Sequence, residues 1–207
     1  MPNKSDIKYI NYIDELIELL SASNNDLIEY LSNYQYEKLN TYLTNIDNQL
    51  ITINEKKDEI LKNLKKSFLT FINKEDIILI INNLILLLEN NKIILTKLLI
   101  YGIRKIDKNL NKFLLSNIEL MNLLSELIKE FNTSIRSKDL DKIINIINSK
   151  NKMIENNYLN IVINLRKQYY DILDIIAWLN IYETIYNKAT AIINFTNIIN
   201  IIIIKNN

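Results

Sequence analysis

Two carboxylates stand where acids are uncommon. Glu89 follows the run Leu84-Ile85-Leu86-Leu87-Leu88, and Glu155 follows Met153-Ile154. A carboxylate buried in hydrocarbon needs a partner or a metal ion. These are therefore the positions where ligand chemistry could sit. The commoner arrangement has both acids pointing outward at the edge of an apolar stripe. Glu15, Glu18 and Glu29 belong to a solvated helix face. Ser67 beside Lys66 has the composition of a Ser-Lys dyad, but the pair is isolated and carries no catalytic expectation. The chain has no histidine and no cysteine. That removes the Ser-His-Asp arrangement, the thiolate nucleophile and the commonest transition-metal ligands. A single glycine, Gly102, excludes phosphate-cradling and dinucleotide-binding loops. The expectation is a protein that is not an enzyme.

The 207 residues suit one domain, and 48% apolar residues allow a sizeable core. Twenty-five basic residues face 24 acidic ones, so no cationic excess points to nucleic acid. The abundance of Asn, Ile and Lys reads as the codon bias of an AT-rich genome, and many asparagines then count as compositional drift. No signal peptide is visible, which gives a cytoplasmic expectation. Two stretches, 77–88 and 191–204, are apolar but interrupted by asparagines, and are shorter than the ~20 residues a span needs. Both read as core helix.

The elements that position these residues follow from an internal repeat. Shifted by 101 residues, the chain falls into register with itself without a gap. Ile13, Ile17 and Leu20 land on Leu114, Ile118 and Met121. Ile53, Ile60, Leu64 and Phe68 land on Ile154, Ile161, Leu165 and Tyr169, and Ile77, Ile80 and Leu84 land on Trp178, Ile181 and Ile185. Spacings of three, four and seven define one helix face. The sequence predicts six helices: 8–33, 36–69, 75–101, 109–133, 137–170 and 175–204. The first should be irregular at Ser21-Ala22-Ser23-Asn24-Asn25, with Asp26 capping its second part. Asn73 is the predicted N-cap of the third, Gly102 its C-terminal stop, and 103–110 could continue as helix. The fold class is all-α: a single domain over 1–207, an up-down six-helix bundle of two three-helix pseudo-repeats, 8–102 and 109–203.

Residues 68–77, Phe-Leu-Thr-Phe-Ile-Asn-Lys-Glu-Asp-Ile, resemble the signature F-I-T-P-F-D-R-E-D-I of PhoU-like proteins, whose genes often accompany Pit-type phosphate transporters. The segment from Ile181-Tyr182-Glu183 through Ala189-Thr190 to Ile204-Lys205 is similar to the family's last helix. The resemblance covers nearly the whole chain. It implies the repeated three-helix fold, a cytoplasmic regulator of phosphate uptake, and E/D-x-x-x-D motifs that hold multinuclear metal clusters.

At the matching positions this chain departs from the family. The motifs fall at Leu50 and Asn54, at Ile85 or Leu86 and Glu89, at Asn151 and Glu155, and at Tyr186 and Thr190. Only Glu89 and Glu155 keep a carboxylate. One acid per site cannot offset the charge of several cations. Asn54, Glu89, Asn151 and Glu155 are therefore relics of metal motifs, no cofactor is expected, and the clusters are expected to be lost. The implied partner is a Pit-type phosphate transporter, met from the cytoplasm or at the inner face of the membrane; no nucleic acid is expected, and a homo-oligomer is open. The alternative is a scaffolding bundle that self-assembles or binds a partner helix.

Overall fold

A computed structural model describes residues 4–66, 72–135, 137–169 and 171–206. Among the described residues every regular element is helical. They are α1 (Lys4–Ser32), a single 3-10 turn at Tyr36–Lys38, α2 (Leu39–Lys66), α3 (Lys74–Ile100), α4 (Lys108–Thr133), α5 (Lys138–Gln168) and α6 (Ile172–Asn206). Short connections force neighbours to run antiparallel. Packing follows the same order in both halves: α1, α2 and α3 pack on one another, as do α4, α5 and α6. The halves meet where α3 lies against α6 and α1 against α4. Ion pairs tie neighbouring helices, among them Lys92–Asp47 at 2.6 Å between α3 and α2 within the first half, and Lys205–Asp76 at 3.2 Å between α6 and α3 across the halves.

Local chemistry explains the helix ends. Asp107 accepts from the Asn109 amide at 2.6 Å and caps α4; Ser137 accepts from the Asp139 amide at 3.2 Å and caps α5. Gly102 has φ 62, and α3 closes through Gly102 N–H to Leu99 C=O and Ile103 N–H to Leu98 C=O, both at 3.0 Å. This is the left-handed glycine stop expected from the sequence. Asn73 sits at the N-cap of α3, but its side chain makes no capping bond.

Three expectations are corrected. The first helix runs unbroken through Ser21–Asn25, because Ser23 and Asn24 are buried and bonded across the bundle rather than to their own backbone. Asp26 is consequently mid-helix, where it accepts from Gln49 at 3.0 Å. Residues 103–107 do not continue as helix; they cross from α3 to α4. Finally, the apolar stretches belong to helices of 27 and 35 residues, α3 and α6, each long and apolar enough to cross a membrane. In this fold they are instead the two central core helices, packed on each other.

Most seam positions read from the repeat lie in the core, while Ile118, Ile161 and Tyr169 are half-buried. Ile13 and Leu114, Leu20 and Met121, Ile53 and Ile154, Leu64 and Leu165, Ile77 and Trp178, Ile80 and Ile181, and Leu84 and Ile185 are all buried. Phe68, Ser67 and the rest of 67–71 lie outside the described residues.

Candidate functional site

The sequence-predicted positions lie mostly at the surface. Asn54 is exposed on α2 and turns its amide back to the Leu50 carbonyl at 2.8 Å. Glu89 is exposed on α3 and Glu155 is exposed on α5, so both acids take the outward arrangement. Asn151 is half-buried on α5, and its carbonyl oxygen lacks a hydrogen-bond partner. Tyr186 stacks on Tyr158 with ring centroids 4.5 Å apart, and Thr190 bonds to the Tyr186 carbonyl at 3.2 Å. Aromatic and amide groups thus occupy the motif positions of the second half. Among the described residues no three carboxylates come together to hold a metal ion. Glu15, Glu18 and Glu29 are exposed, as a solvated face requires.

The unusual chemistry lies elsewhere, at the centre of the bundle. Lys188 of α6 is buried, at 3% exposure. Its Nζ donates to the Oδ1 of Asn24 on α1 and to the Oδ1 of Asn91 on α3. The Asn91 amide donates to Asn24 Oδ1 at 3.0 Å and to Ser23 Oγ at 3.2 Å. The Asn24 Nδ2 is buried without a partner. Among the described residues no carboxylate forms an ion pair with Lys188. Burial pushes its pKa down to about 7. A lysine buried without an anion is rare, because the charged form loses its hydration.

A second polar cluster joins the α3–α4 crossing to the α5–α6 junction. Asp107, buried, accepts from the Tyr169 hydroxyl at 2.8 Å and from the Gln168 amide, as well as capping α4. Burial, and then the Asp107 bond, push the Tyr169 phenol above its usual range. The Tyr182 hydroxyl lies near Asp107 without reaching hydrogen-bond geometry, and burial raises its pKa strongly. Beside this cluster an open cleft of about 660 Å³ is lined by Arg104, Lys105, Asp107, Tyr169 and Trp178, among others. Asp107 accepts three hydrogen bonds and ties the α3–α4 crossing to the end of α5.

The surface has its own pattern. On α3, Leu79, Leu86, Ile93 and Ile100 are all exposed, at 41%, 45%, 42% and 70%, each seven residues from the next. On α6, Ile172, Leu173 and Ile176 are exposed at one end, and Ile201 and Ile204 at the other. The four apolar side chains of α3 share one heptad position, with exposed Asn82 and Glu89 between them.

Neither a family model nor a curated protein matches the chain. Among solved structures, the fold is similar to the crystal structure of a PhoU-like protein from Shewanella oneidensis MR-1. The TM-score is 0.82 at 12% sequence identity, covering 95% of this chain and 99% of that one. At that identity the likeness shows the fold: a PhoU-like helical bundle along the whole length.

Proposed function

We propose that this protein is a divergent PhoU-like accessory of inorganic phosphate transport that docks on a membrane transporter of the Pit type from the cytoplasmic side. The observation that carries the reading is the whole-chain fold likeness, joined to the sequence resemblance at 68–77 and 181–205. The exposed line Leu79, Leu86, Ile93 and Ile100 supplies a surface suited to a partner helix. On this reading the protein acts by contact and not by catalysis, which the lack of histidine and cysteine supports.

A scaffold that self-assembles would use the same line. Glu89 opposes that reading, since it lies midway along the line and a two-fold antiparallel pairing would set it against its own copy. A partner with a cation or a neutral group at that level fits better. The test is co-purification with the transporter from membranes at low and moderate salt, with phosphate uptake measured in a deletion strain. An apolar contact survives moderate salt, whereas a polybasic one does not. No association and unchanged uptake would leave the scaffold reading in front.

A further inference from the structure

Lys188 sits where the fold asks for hydrocarbon. Along α6 the buried residues Ile181, Ile185, Ile192, Phe195 and Ile199 form the seam, and Lys188 fills the step between Ile185 and Ile192. Asn91 holds the equivalent step on α3, between Leu88 and Leu95, and Asn24 on α1, between Leu20 and Leu27. Three polar side chains from three helices therefore meet at one level. Both amide oxygens point at the amine, and no acid joins them.

We propose that the Asn24–Asn91–Lys188 cluster is a proton-controlled latch: the neutral amine lets α6 close against α1 and α3, and protonation loosens α6 from them at this level. The physical basis is the environment. Two carbonyl dipoles solvate an amine adequately but compensate a full charge poorly in a dry junction. The charged residues nearest along each packed helix all lie at the surface. Asp26 on α1, Glu89 and Lys92 on α3, Glu126 on α4, Glu155 on α5 and Glu183 on α6 itself are exposed or half-exposed. Burial alone sets the amine's protonation midpoint, placing it near neutral pH. A latch with that midpoint responds to ordinary changes in cytoplasmic or near-membrane proton concentration, and it does so whether or not the transport reading holds.

The test is hydrogen exchange of the intact protein between pH 6 and 8.5, corrected for intrinsic exchange rates. The amides of residues 185–192 and 20–27 are compared with reference amides around Ile53 and Ile60 on α2. The opening constant of the α6 and α1 segments should fall about tenfold from pH 7 to 8.5, from the linkage of a lysine that is protonated when open and neutral when closed. Those α2 amides that open below the free energy of global unfolding should change far less. In Lys188→Met the dependence should vanish. Wild-type protection in 185–192 that is flat with pH would overturn the proposal, as would an equal change in α2 or an unaltered profile in Lys188→Met. Should Lys188→Met not fold, the contrast between α6 and α2 in the wild type decides the question alone.

Discussion

Two core settings of this protein, matched by the 101-residue offset, differ in chemistry. In one setting stand Ser23, Asn24, Asn91 and Lys188; at the 101-residue offset their counterparts are Leu124, Ser125, Ile192 and Leu87. All eight are buried. Each setting draws on both halves of the chain: one is filled with hydrocarbon and a small hydroxyl, the other with Lys188 of the second half held by two amides of the first. The backbone accommodates both. The difference teaches that the polar set is not a requirement of the fold, because the same fold does without it one repeat away. Ser125 shows the inert alternative: its hydroxyl bonds back to the Met121 carbonyl at 3.1 Å and reaches nothing across the bundle.

The comparison breaks most sharply by exchange. Leu87→Lys puts an ammonium at the mate level, where no paired amides wait. It should cost roughly 4 kcal/mol or leave the protein unfolded. Lys188→Met, the reverse change, removes the buried amine but strands the Asn91 Oδ1, so it should change stability by less than about 2 kcal/mol at pH 7. Urea unfolding of both variants reads the two effects, and equal destabilisation by both would erase the contrast between the two settings.

The pH dependence comes next. Unfolded lysine keeps its proton to about pH 10.4, while folded Lys188 releases it near 7. Between these values the unfolded chain holds the extra proton, so raising the pH favours the fold. Stability should rise by about 1.4 kcal/mol per unit across the lower part of that window. Above pH 10 the trend reverses. The buried phenols of Tyr30 and Tyr182 have raised pKa values in the fold, and their contribution, complete below 10, is lost as the unfolded tyrosines ionise. Urea melts from pH 6 to 10.5 check this, and Lys188→Met should remove the rising limb.

Smaller effects sharpen the account at its edges. Tyr169→Phe removes the 2.8 Å bond to Asp107 but leaves Asp107 its other donors, and should cost about 1 kcal/mol in denaturant melts. Glu89→Ala and Glu155→Ala, both at exposed positions, should shift stability by less than about 0.5 kcal/mol. The wild type, purified without chelator, should carry well under one equivalent of iron, zinc or manganese by elemental analysis. Stoichiometric metal that disappears in Glu89→Ala would restore a working metal site.

Most of the fold was legible because apolar spacing and register are local properties. The seam residues from Ile13 to Ile185 announce their helices, and Gly102 and Ser137 announce their ends. The run 21–25 misled because Ser and Asn are read as breakers from their own backbone chemistry; here their partners come from α3 and α6, more than 60 residues away. The Lys188 cluster was missed for a related reason. In an asparagine-rich chain, Asn24 and Asn91 look like drift. The signal was nevertheless present: a lysine exactly on the 3-4 apolar spacing of α6, opposite a leucine in the repeat. Pairing across three helices, unlike periodicity, is not written in any one segment.

The central claim is that the protein works by docking its α3 face on a membrane partner. The most direct measurement compares wild type with the double variant Leu86→Glu, Ile93→Glu for co-purification with the phosphate transporter. Both positions are exposed, so the variant should keep the wild-type helical content and melt. The account predicts that it nevertheless loses the transporter and fails to restore uptake in a deletion strain. A folded variant that retains both would contradict the account.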